Sequence, residues 1–377
     1  MDRRKFVTGA TAATALSGFG GTIGKARAQP EESSVKIGDP FRAYEVGDQQ
    51  GIETLRMVER KIPAPGPGQA LIRAYASSIN ARDFGIITGR FFGRKPEERI
   101  PLAEGAGEVV AVGQGVDRVT PGDRVTASHL PDWIEGPWHP RYYEQDIGNS
   151  LDGWLAEYVL MPAITLVKLP QSISYEAAAT FASSGVTAWQ ALFEVGRVTP
   201  GDTVLTLGTG GVSTYGLLLA KAAGATVVIT SSNDDKLAKM RKLGADITIN
   251  YRKNPNWAEE VYEKADGHGA DIILENVGRA NIDNSMPAAA ASGIVIMIGT
   301  GPIPETGPVM KDLLMRNLTL TAISVGSLKM FEDMVTFIAD KNIEPVIDRM
   351  FDFEDAQGAF TYMREPTRIG KVVITHT

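Results

Sequence analysis

The chain has 377 residues, more than one ordinary hydrophobic core holds, so two lobes are expected. Its formal net charge of −7 argues against nucleic acid or an anionic membrane as partner. The absence of cysteine excludes disulfides, thiolate nucleophiles and cysteine-bound zinc. No two of the four histidines have the i, i+4 spacing of a helical metal site, so a histidine-built metal centre is not expected.

Residues 1–28 are predicted to be a twin-arginine signal peptide. Arg3 and Arg4 form the basic start, Thr8–Gly24 is mildly apolar and too short to span a bilayer, and Ala26-Arg27-Ala28 is a small-residue cleavage site. The alternative is a frayed, slightly basic N-terminus. The signal predicts a periplasmic or secreted protein, whereas a cytoplasmic location is expected if the signal does not function.

Residues Val35–Lys168 contain strand patterns punctuated by glycine and proline, which predict a small β-barrel-like lobe. From Thr203 onward, strands alternate with helices, which predicts a doubly wound parallel sheet and an α/β fold. The predicted strands are Thr203–Leu207, Thr226–Ser231, Asp246–Asn250, Ala270–Glu275, Gly293–Gly299 and Leu318–Val325. The predicted helices are Val212–Ala223, Lys236–Leu243, Trp257–Ala265, Ile282–Ala291, Val309–Arg316, Phe331–Lys341 and Glu354–Met363.

The C-terminal stretch is longer than the parallel sheet requires, so Pro345–Phe351 and a closing strand Lys371–Thr375 are expected to return to the first lobe. The predicted organisation is therefore a signal over 1–28, a catalytic domain beginning with 29–183, a dinucleotide-binding domain over 184–324, and a return to the catalytic domain over 325–377.

The turn Leu207–Ser213 joins a predicted strand to a predicted helix and contains Gly208, Gly210 and Gly211. Such a turn lets the backbone approach a pyrophosphate and places it at the helix N-terminus. Ser213 replaces the third glycine of the usual fingerprint. The alternative is a tight strand-to-helix connection, but the strand that follows about 20 residues later favours a dinucleotide site.

The end of the second strand predicts which dinucleotide binds. Thr230–Ser232 has no carboxylate for a ribose 2′-hydroxyl, and Lys236 follows in the next helix, so a 2′-phosphate and NADPH are favoured over NADH. Three observations weigh against this. Ser232–Asp235 also fits a capping box, Lys236 also fits a solvated lysine, and Asp234 and Asp235 add negative charge.

The chain resembles the medium-chain dehydrogenase/reductase superfamily, in its zinc-free branch related to quinone oxidoreductases and enoyl reductases. The motifs that carry the resemblance are Ser78-Ile79-Asn80-Ala81-Arg82-Asp83, Ala103-Glu104-Gly105-Ala106-Gly107-Glu108-Val109, Gly122-Asp123-Arg124-Val125, Leu155-Ala156-Glu157-Tyr158-Val159, Gly185-Val186-Thr187-Ala188-Trp189, the glycine turn, Leu243-Gly244-Ala245-Asp246 and Gly370-Lys371-Val372-Val373-Ile374. The resemblance implies a GroES-like catalytic domain beside a Rossmann domain, with the substrate cleft between them.

In zinc members of this superfamily, two cysteines and a histidine hold the catalytic metal. The matching positions here are Asn80, Ala103 and Ser183, which do not form a tetrahedral zinc site. The cysteine-rich structural zinc segment is replaced by Ser128–Gly153. Six aromatic residues lie in or beside it: Trp133, Trp138, His139, Tyr142, Tyr143 and Trp154. They are interpreted either as a wall of an apolar substrate pocket or as a small core under a long loop.

The resemblance also implies a set of cofactor contacts. Asn80 is placed near the nicotinamide and Thr187 near the phosphates. The expected pyrophosphate residues are Gly208, Gly210, Gly211, Val212 and Ser213; the expected 2′-phosphate residues are Ser231, Ser232, Lys236 and Tyr251; Gly278, Gly299 and Val325 supply backbone contacts, and Lys371 closes the site. Two alternatives stay open, in which Tyr251 only packs at a strand end and Lys371 is solvated on an edge strand.

The predicted reaction is NADPH-dependent hydride transfer, without zinc, to an electron-poor small-molecule acceptor such as a quinone or an α,β-unsaturated carbonyl compound. Asn80, Asp83 and Tyr142 are the catalytic candidates, with His139 as a further acid/base candidate. Ala81 stands where the family often has a tyrosine. A homodimer is compatible with the resemblance.

Three other functions remain open. One is an alcohol dehydrogenase or aldehyde reductase-type activity, and another is dinucleotide binding without catalysis. A hydrolase is the third, because Gly211–Tyr215 almost matches a nucleophile elbow, although Tyr215 replaces its final glycine.

Overall fold

The computed structural model describes residues 35–301 and 310–376. The predicted signal over 1–28 lies outside the described residues. From Lys36 onward the chain forms one compact unit, and the domain boundaries predicted within it stay predictions. Within the described ranges, no helix has the length and apolar character needed to cross a membrane.

The N-terminal part is built mainly from antiparallel strands. Its elements are β1 (Pro40–Glu45), β2 (Arg56–Lys61), β3 (Gln69–Ser78), α1 (Ala81–Ile86), β4 (Glu104–Val112), β5 (Arg124–Ala127), β6 (Tyr158–Pro162), β7 (Leu166–Lys168) and α2 (Tyr175–Ala178). β3 pairs antiparallel with both β4 and β6, and β4 pairs with β5. This is the predicted GroES-like domain.

The middle part is a parallel sheet with helices. Its elements are α3 (Val186–Trp189), β8 (Thr203–Leu207), α4 (Gly211–Ala222), β9 (Thr226–Ser231), α5 (Asp234–Lys242), β10 (Ile247–Asn250), α6 (Trp257–Lys264), β11 (Ala270–Glu275), α7 (Ile282–Ser285), β12 (Ala289–Met297), α8 (Lys311–Met315), β13 (Thr319–Ala322) and α9 (Leu328–Lys341). The strand order is β10-β9-β8-β11-β12-β13, with parallel neighbours throughout. The order reverses between β8 and β11, the position at which such sheets bind ligands. The predicted α/β fold is confirmed.

One predicted helix ends early. The alanine-rich stretch Ile282–Ala291 was expected to be helical throughout, but a 3₁₀ turn over Met286–Ala288 ends it, and Ala289 begins β12. Ala289 pairs with Ala270 of β11 and is fully buried. Parallel pairing in the sheet interior therefore outweighs the helix propensity of alanine.

A helical connection that the sequence did not predict leads from the first lobe into the Rossmann sheet. After α2, a π-helical turn over Phe181–Gly185 leads into α3, and a second π-helical turn over Gln190–Val195 follows. π-Helical turns are rare and recur at functional sites. Here the first turn carries Ser183 and Ser184 to the glycine turn.

The chain then returns to the first lobe through β14 (Ile347–Asp352), α10 (Ala356–Tyr362) and β15 (Lys371–Thr375). β15 lies between β14 and β3, parallel to the first and antiparallel to the second. Val373 stands opposite Ser78 in this pairing. β15 is therefore an interior strand, and the edge-strand alternative for Lys371 is wrong.

A buried histidine fastens the end of the chain. The backbone N–H of His376 donates to Tyr75 O at 2.9 Å, and its Nδ1 lies 3.0 Å from Ala156 O. Because a carbonyl only accepts, Nδ1 carries the hydrogen, and Nε2 accepts from Ser77 Oγ at 2.8 Å. The neutral ring is thus fully bonded, and burial lowers the pKa of His376 from 6.5 to about 4.

This histidine makes stability depend on pH. Between pH 6.5 and about 4, the unfolded chain binds a proton that the folded chain does not, so stability contributed by His376 falls as the pH falls through this window. His376→Gln should lose this dependence. We expect the wild type to lose up to about 3 kcal/mol more unfolding free energy than the variant between about pH 7.5 and pH 4.

Urea denaturation at several pH values measures this difference, since groups that titrate elsewhere contribute equally to both proteins. The exposed His268 provides a control, and His268→Gln should keep the wild-type pH dependence. Parallel stability curves for wild type and His376→Gln would contradict the assignment.

Candidate active site

The glycine turn between β8 and α4 has the shape of a pyrophosphate cradle. Gly208 has φ +79°, which favours glycine. A Cβ on Gly211 would lie 2.5 Å from Ser184 Oγ and 2.8 Å from Lys371 Cδ, whereas a Cβ on Gly210 would meet nothing within 4 Å. Gly210 caps α4 without a side-chain bond, so the helix N-terminus is open in front of it. These features fit the phosphates of a dinucleotide.

Ser213 serves the fold rather than the cradle surface. Its Oγ donates to Leu207 O at 2.7 Å and accepts from Asn276 Nδ2 at 3.0 Å, and the residue is buried. The hydroxyl therefore ties α4 to the ends of β8 and β11. This arrangement does not expose a nucleophile, as a hydrolase would need. Val212, beside it, is half-buried.

The ends of β11 and β12 approach each other through glycines. Gly278 has φ +102°, and a Cβ on it would lie 2.5 Å from Gly301 N. A Cβ on Gly299 would lie 2.2 Å from Asn276 O. The buried Glu275 carboxylate accepts from the N–H of Val277 at 2.8 Å and of Gly278 at 3.0 Å, which shapes the turn.

Sequence reasoning missed both Glu275 and Asn276. A carboxylate at the end of an apolar strand was the available signal.

Two of the predicted 2′-phosphate residues, Ser231 and Tyr251, meet where β9 and β10 end. Ser231 is buried and accepts from the Tyr251 N–H, through its carbonyl, at 3.2 Å. Tyr251 is 42% exposed, so packing at the strand end does not bury its ring. Lys236 Nζ donates to Pro366 O at 2.9 Å.

The alternative in which Ser232–Asp235 forms a capping box is wrong. α5 begins at Asp234, and the cap is Asn233, whose Oδ1 accepts from Lys236 N at 3.0 Å. Ser232, half-buried, is thus not needed as the helix cap.

A buried polar network lies against the glycine turn. Lys371, only 1% exposed, forms an ion pair with Glu104 and donates to Asn80 Oδ1 at 2.7 Å and Ile79 O at 3.1 Å. Asn80 Nδ2 donates to Glu104 Oε1 at 2.8 Å. The network thus joins β15, β4 and Asn80, which lies two residues after β3.

The π-helical turn completes this network. Ser183 N donates to Glu104 Oε2 at 2.7 Å, and Ser184 Oγ donates to Asn80 Oδ1 at 3.2 Å. Thr187 is buried on α3, and its hydroxyl donates to Ser183 O at 2.7 Å. The structure therefore brings Asn80 and Ser183 together with Lys371.

Asp83 lies directly beside this network. Its Oδ2 accepts from Asn80 N at 2.6 Å in the capping box of α1, and its Oδ1 has no partner among the described residues. Burial raises the pKa of Asp83 to about 6. The carboxyl can therefore exist protonated near neutral pH.

The aromatic cluster is a small core docked on the Rossmann part. Trp133 stacks on Tyr142 with ring centroids 5.7 Å apart, and Trp138 packs edge-on against both. Val325 packs against the same cluster and against the main core. Tyr142 is buried there, so the structure places it in the small core that was one of the two interpretations.

Trp154 lies outside this cluster, whereas His139 lies at its edge, with its ring centroid 6.2 Å from that of Tyr142. Trp154 lies against Gly105, where a Cβ would be 2.5 Å from the indole. His139 is exposed, and its Nδ1 accepts from Arg141 N at 3.1 Å, so it caps the 3₁₀ turn Pro140–Glu144. That position does not suit the acid/base role predicted for His139.

A second buried charged group surrounds His129, which sequence reasoning did not select. His129 Nδ1 lies 3.0 Å from Asp146 Oδ1, and Arg82 donates to Asp146 Oδ1 at 2.8 Å and to Ile147 O at 3.0 Å. His129 and Asp146 are fully buried. The signal available in the sequence was a histidine two residues after β5, but its partner lies 17 positions away.

Two family models match the chain. The alcohol dehydrogenase GroES-like domain matches residues 66–171, and the zinc-binding dehydrogenase family matches residues 211–340. A zinc-type alcohol dehydrogenase-like protein of Schizosaccharomyces pombe is 37% identical over 339 residues, which covers 88% of this chain and 98% of that protein.

Solved structures agree. A crystal structure described as an alcohol dehydrogenase from Sinorhizobium meliloti 1021 superposes with a TM-score of 0.84 and 33% identity, covering 90% of this chain and all of that one. An NAD-dependent alcohol dehydrogenase superposes with a TM-score of 0.82 and 29% identity, covering 89% of this chain and 100% of its own. The chain therefore belongs to the medium-chain dehydrogenase/reductase superfamily, as an alcohol dehydrogenase-like oxidoreductase.

Proposed function

We propose that this oxidoreductase transfers hydride from NADPH to an electron-poor acceptor, a quinone or an α,β-unsaturated carbonyl compound, without a catalytic zinc ion. One observation carries the proposal: Asn80 accepts a hydrogen bond from the Lys371 ammonium, and Glu104 forms an ion pair with it.

The zinc implied by the family name needs donor atoms that these residues do not offer. Asn80 Oδ1 already accepts from Lys371 and Ser184, and its Nδ2 donates to Glu104. Ala103 has a methyl group, and Ser183 has a neutral hydroxyl. Among the described residues, no group of three or more histidine, cysteine, aspartate or glutamate side chains is placed to hold a metal. This donor set does not fit tetrahedral zinc.

The reaction proposed suits a site without a Lewis acid. When bound, the reduced nicotinamide supplies a hydride. An acceptor that delocalises the incoming negative charge needs less polarisation than an isolated ketone. The chain's part is to orient the acceptor beside Asn80.

Cofactor choice rests on the charges around Lys236, on the helix that follows β9. Among the described residues, no carboxylate forms an ion pair with Lys236. Burial, followed by repulsion from the nearby Arg368, lowers the pKa of Lys236, against the opposing attraction of Asp348. Two cations beside one carboxylate leave a positive charge, which favours an anion such as a 2′-phosphate. Asp234 is turned to other partners, because it pairs with Lys253 and accepts from Asn250 Nδ2 at 2.7 Å.

The reaction is tested with a panel of acceptors. Purified protein should oxidise NADPH with 1,4-benzoquinone or cyclohexenone, followed by absorbance, and prolonged dialysis against a chelator should leave the rate unchanged. Elemental analysis should find far less than one zinc per chain, with a zinc-dependent alcohol dehydrogenase as the control. Stoichiometric zinc whose removal abolishes the rate would refute the metal-free proposal, and NADPH binding without turnover on any acceptor would refute the activity.

The cofactor preference is tested at Lys236. NADPH should bind more tightly than NADH, and Lys236→Glu should reduce the ratio of the two affinities by about tenfold to a hundredfold, since a charge-assisted bond contributes about 1.5–3 kcal/mol. Fluorescence titration at fixed salt measures both affinities. Lys239→Glu, an exposed change on the same helix, is the control and should keep the ratio. An unchanged ratio in Lys236→Glu would rule out this lysine as the phosphate contact.

Export through the twin-arginine route remains part of the proposal. It is supported by Arg3 and Arg4, the apolar stretch that follows and the Ala26-Arg27-Ala28 site. Fractionation of cells that express wild type or the Arg3→Lys/Arg4→Lys variant should find the mature protein, beginning near Gln29, outside the cytoplasm only for wild type. Identical distributions would show that residues 1–28 are not an export signal.

A further inference from the structure

His129 has a buried ring nitrogen without a partner. The residue is 1% exposed, and its Nε2 forms no hydrogen bond with any described residue. Leaving a buried polar atom unpaired costs about 1–3 kcal/mol. Such an atom in a native fold calls for an explanation, and a ligand that completes the bond is one.

The partners of the other ring nitrogen define the tautomer. Although burial alone would raise it, Arg82 and His129 hold the pKa of Asp146 below its ordinary value, so Asp146 is a carboxylate. A carboxylate only accepts, so His129 Nδ1, at 3.0 Å, carries the hydrogen. Arg82 Nη1 lies 3.4 Å from Nδ1 but cannot donate to a nitrogen that is itself a donor.

The surroundings also keep the ring neutral. Burial and the Arg82 cation lower the pKa of His129, against the opposing influence of Asp146 and Glu104. In the neutral ring with hydrogen on Nδ1, Nε2 presents a lone pair. The missing partner is therefore a hydrogen-bond donor, such as a hydroxyl group.

The strand order brings His129 close to the candidate site. β3, β4 and β5 are consecutive neighbours, with Ser78 opposite Glu104 and Ala106 opposite Thr126. Continued for three residues, the second pairing brings His129 level with Ala103. Arg82 reaches His129 from α1, whose cap is Asn80. The aromatic cluster begins at Leu130, the next residue.

We propose that His129 is the catalytic acid–base group, whose Nε2 exchanges a proton with the oxygen of the substrate. This inference rests on the proposed hydride transfer and narrows it to substrates that are protonated on oxygen when reduced. Quinones and the carbonyl group of an α,β-unsaturated compound meet that condition, with hydroquinones and allylic alcohols as products. Reduction of a carbon–carbon double bond ends with a proton on carbon and does not.

The step balances in both directions. In oxidation of an alcohol, the C–H bond breaks and its electron pair leaves as hydride for the oxidised nicotinamide cofactor. The O–H bond breaks, its electron pair forms the second C–O bond, and the proton passes to Nε2, giving an imidazolium that Asp146 stabilises. Reduction runs the same transfers backwards, so the imidazolium gives its proton to the oxygen that receives negative charge.

Direction and pH are therefore linked. Oxidation needs the neutral ring and should slow as the pH falls through the pKa of His129, whereas reduction needs the imidazolium and should slow as the pH rises through it. The charged groups that set this pKa are Arg82 on α1, Asp146 in the loop after the 3₁₀ turn Pro140–Glu144, and Glu104 on β4. A histidine that only fills the core would give neither trend.

The first test is substitution. His129→Asn keeps a donor for Asp146 and removes the Nε2 acceptor. With 1,4-benzoquinone and NADPH, and with 2-cyclohexenol and NADP⁺ for the oxidation of an alcohol, kcat should fall by about a hundredfold or more and lose its pH dependence, while the dissociation constant of NADPH stays unchanged. The matched control is His268→Asn, because His268 Nε2 also pairs with an aspartate, Asp271, but is exposed. This control should behave as wild type.

The second test uses the intact protein without turnover. The chain has only four histidines, so ¹⁵N-histidine NMR can follow each ring. The signals that are missing from the spectrum of His129→Asn are those of His129. Wild type should show hydrogen on Nδ1 of His129, and hydroquinone should shift the Nε2 signal of His129 but not those of His268.

The outcomes separate the two proposals. A folded His129→Asn variant with kcat within about threefold of wild type would overturn the role of His129, as would an Nε2–H tautomer that hydroquinone leaves unshifted. If wild type binds NADPH but reduces no acceptor, the proposed function fails. In that case the NMR titration still shows whether His129 Nε2 accepts a hydrogen bond from a hydroxyl group. The same titration tests the role of His129 if the His129→Asn variant fails to fold.

Discussion

The ion pair between Lys371 and Glu104 is the contact on which the geometry of the site depends. Both groups are fully buried, and burial of two charges is favourable only when all remaining bonds are made. Lys371 uses its three N–H donors on Ile79 O, Asn80 Oδ1 and Glu104 Oε1. The other oxygen of Glu104 accepts from Ser183 N. The pair therefore holds the last strand, the first lobe and the π-helical turn in one arrangement.

The glycine turn takes its position from the same pair. The absence of a Cβ at Gly211 lets the turn rest on the Lys371 stem and on Ser184. Gly370, the neighbour of Lys371, donates from its N–H to Thr209 O at 2.8 Å. One short segment of β15 thus contacts both the residue proposed to lie near the nicotinamide and the turn proposed to hold the pyrophosphate. A displacement of β15 would move both ends of the cofactor site together.

The parts of this protein that sequence patterns predict are those governed by local rules. β8 and β9 have the predicted bounds because each is a short apolar run between turn residues. The glycine turn is visible because its residues are adjacent. Asn80 and Lys371 were found only through family resemblance, since 291 positions separate them and only the pairing of β15 with β3 brings them together. The prediction for Ala289 was wrong for the opposite reason. The helix propensity of alanine is a local property, but the conformation of Ala289 is decided by its pairing with β11.

The buried clusters around Lys371 and His129 differ in whether their hydrogen bonds are all made within the chain. Around Lys371, all three N–H donors of the ammonium have acceptors among the described residues, so the ion pair needs no ligand. Around His129, the carboxylate and the guanidinium bond to each other, but Nε2 keeps its lone pair. Because the low dielectric of the interior strengthens both bonds and penalties, the complete cluster is suited to hold geometry and the incomplete one to bind or exchange a proton. α1 connects the two, with Asn80 at its cap in the first and Arg82 on its first turn in the second. The fold thereby places the complete ion pair and the buried, unpaired Nε2 of His129 at the start of one short helix.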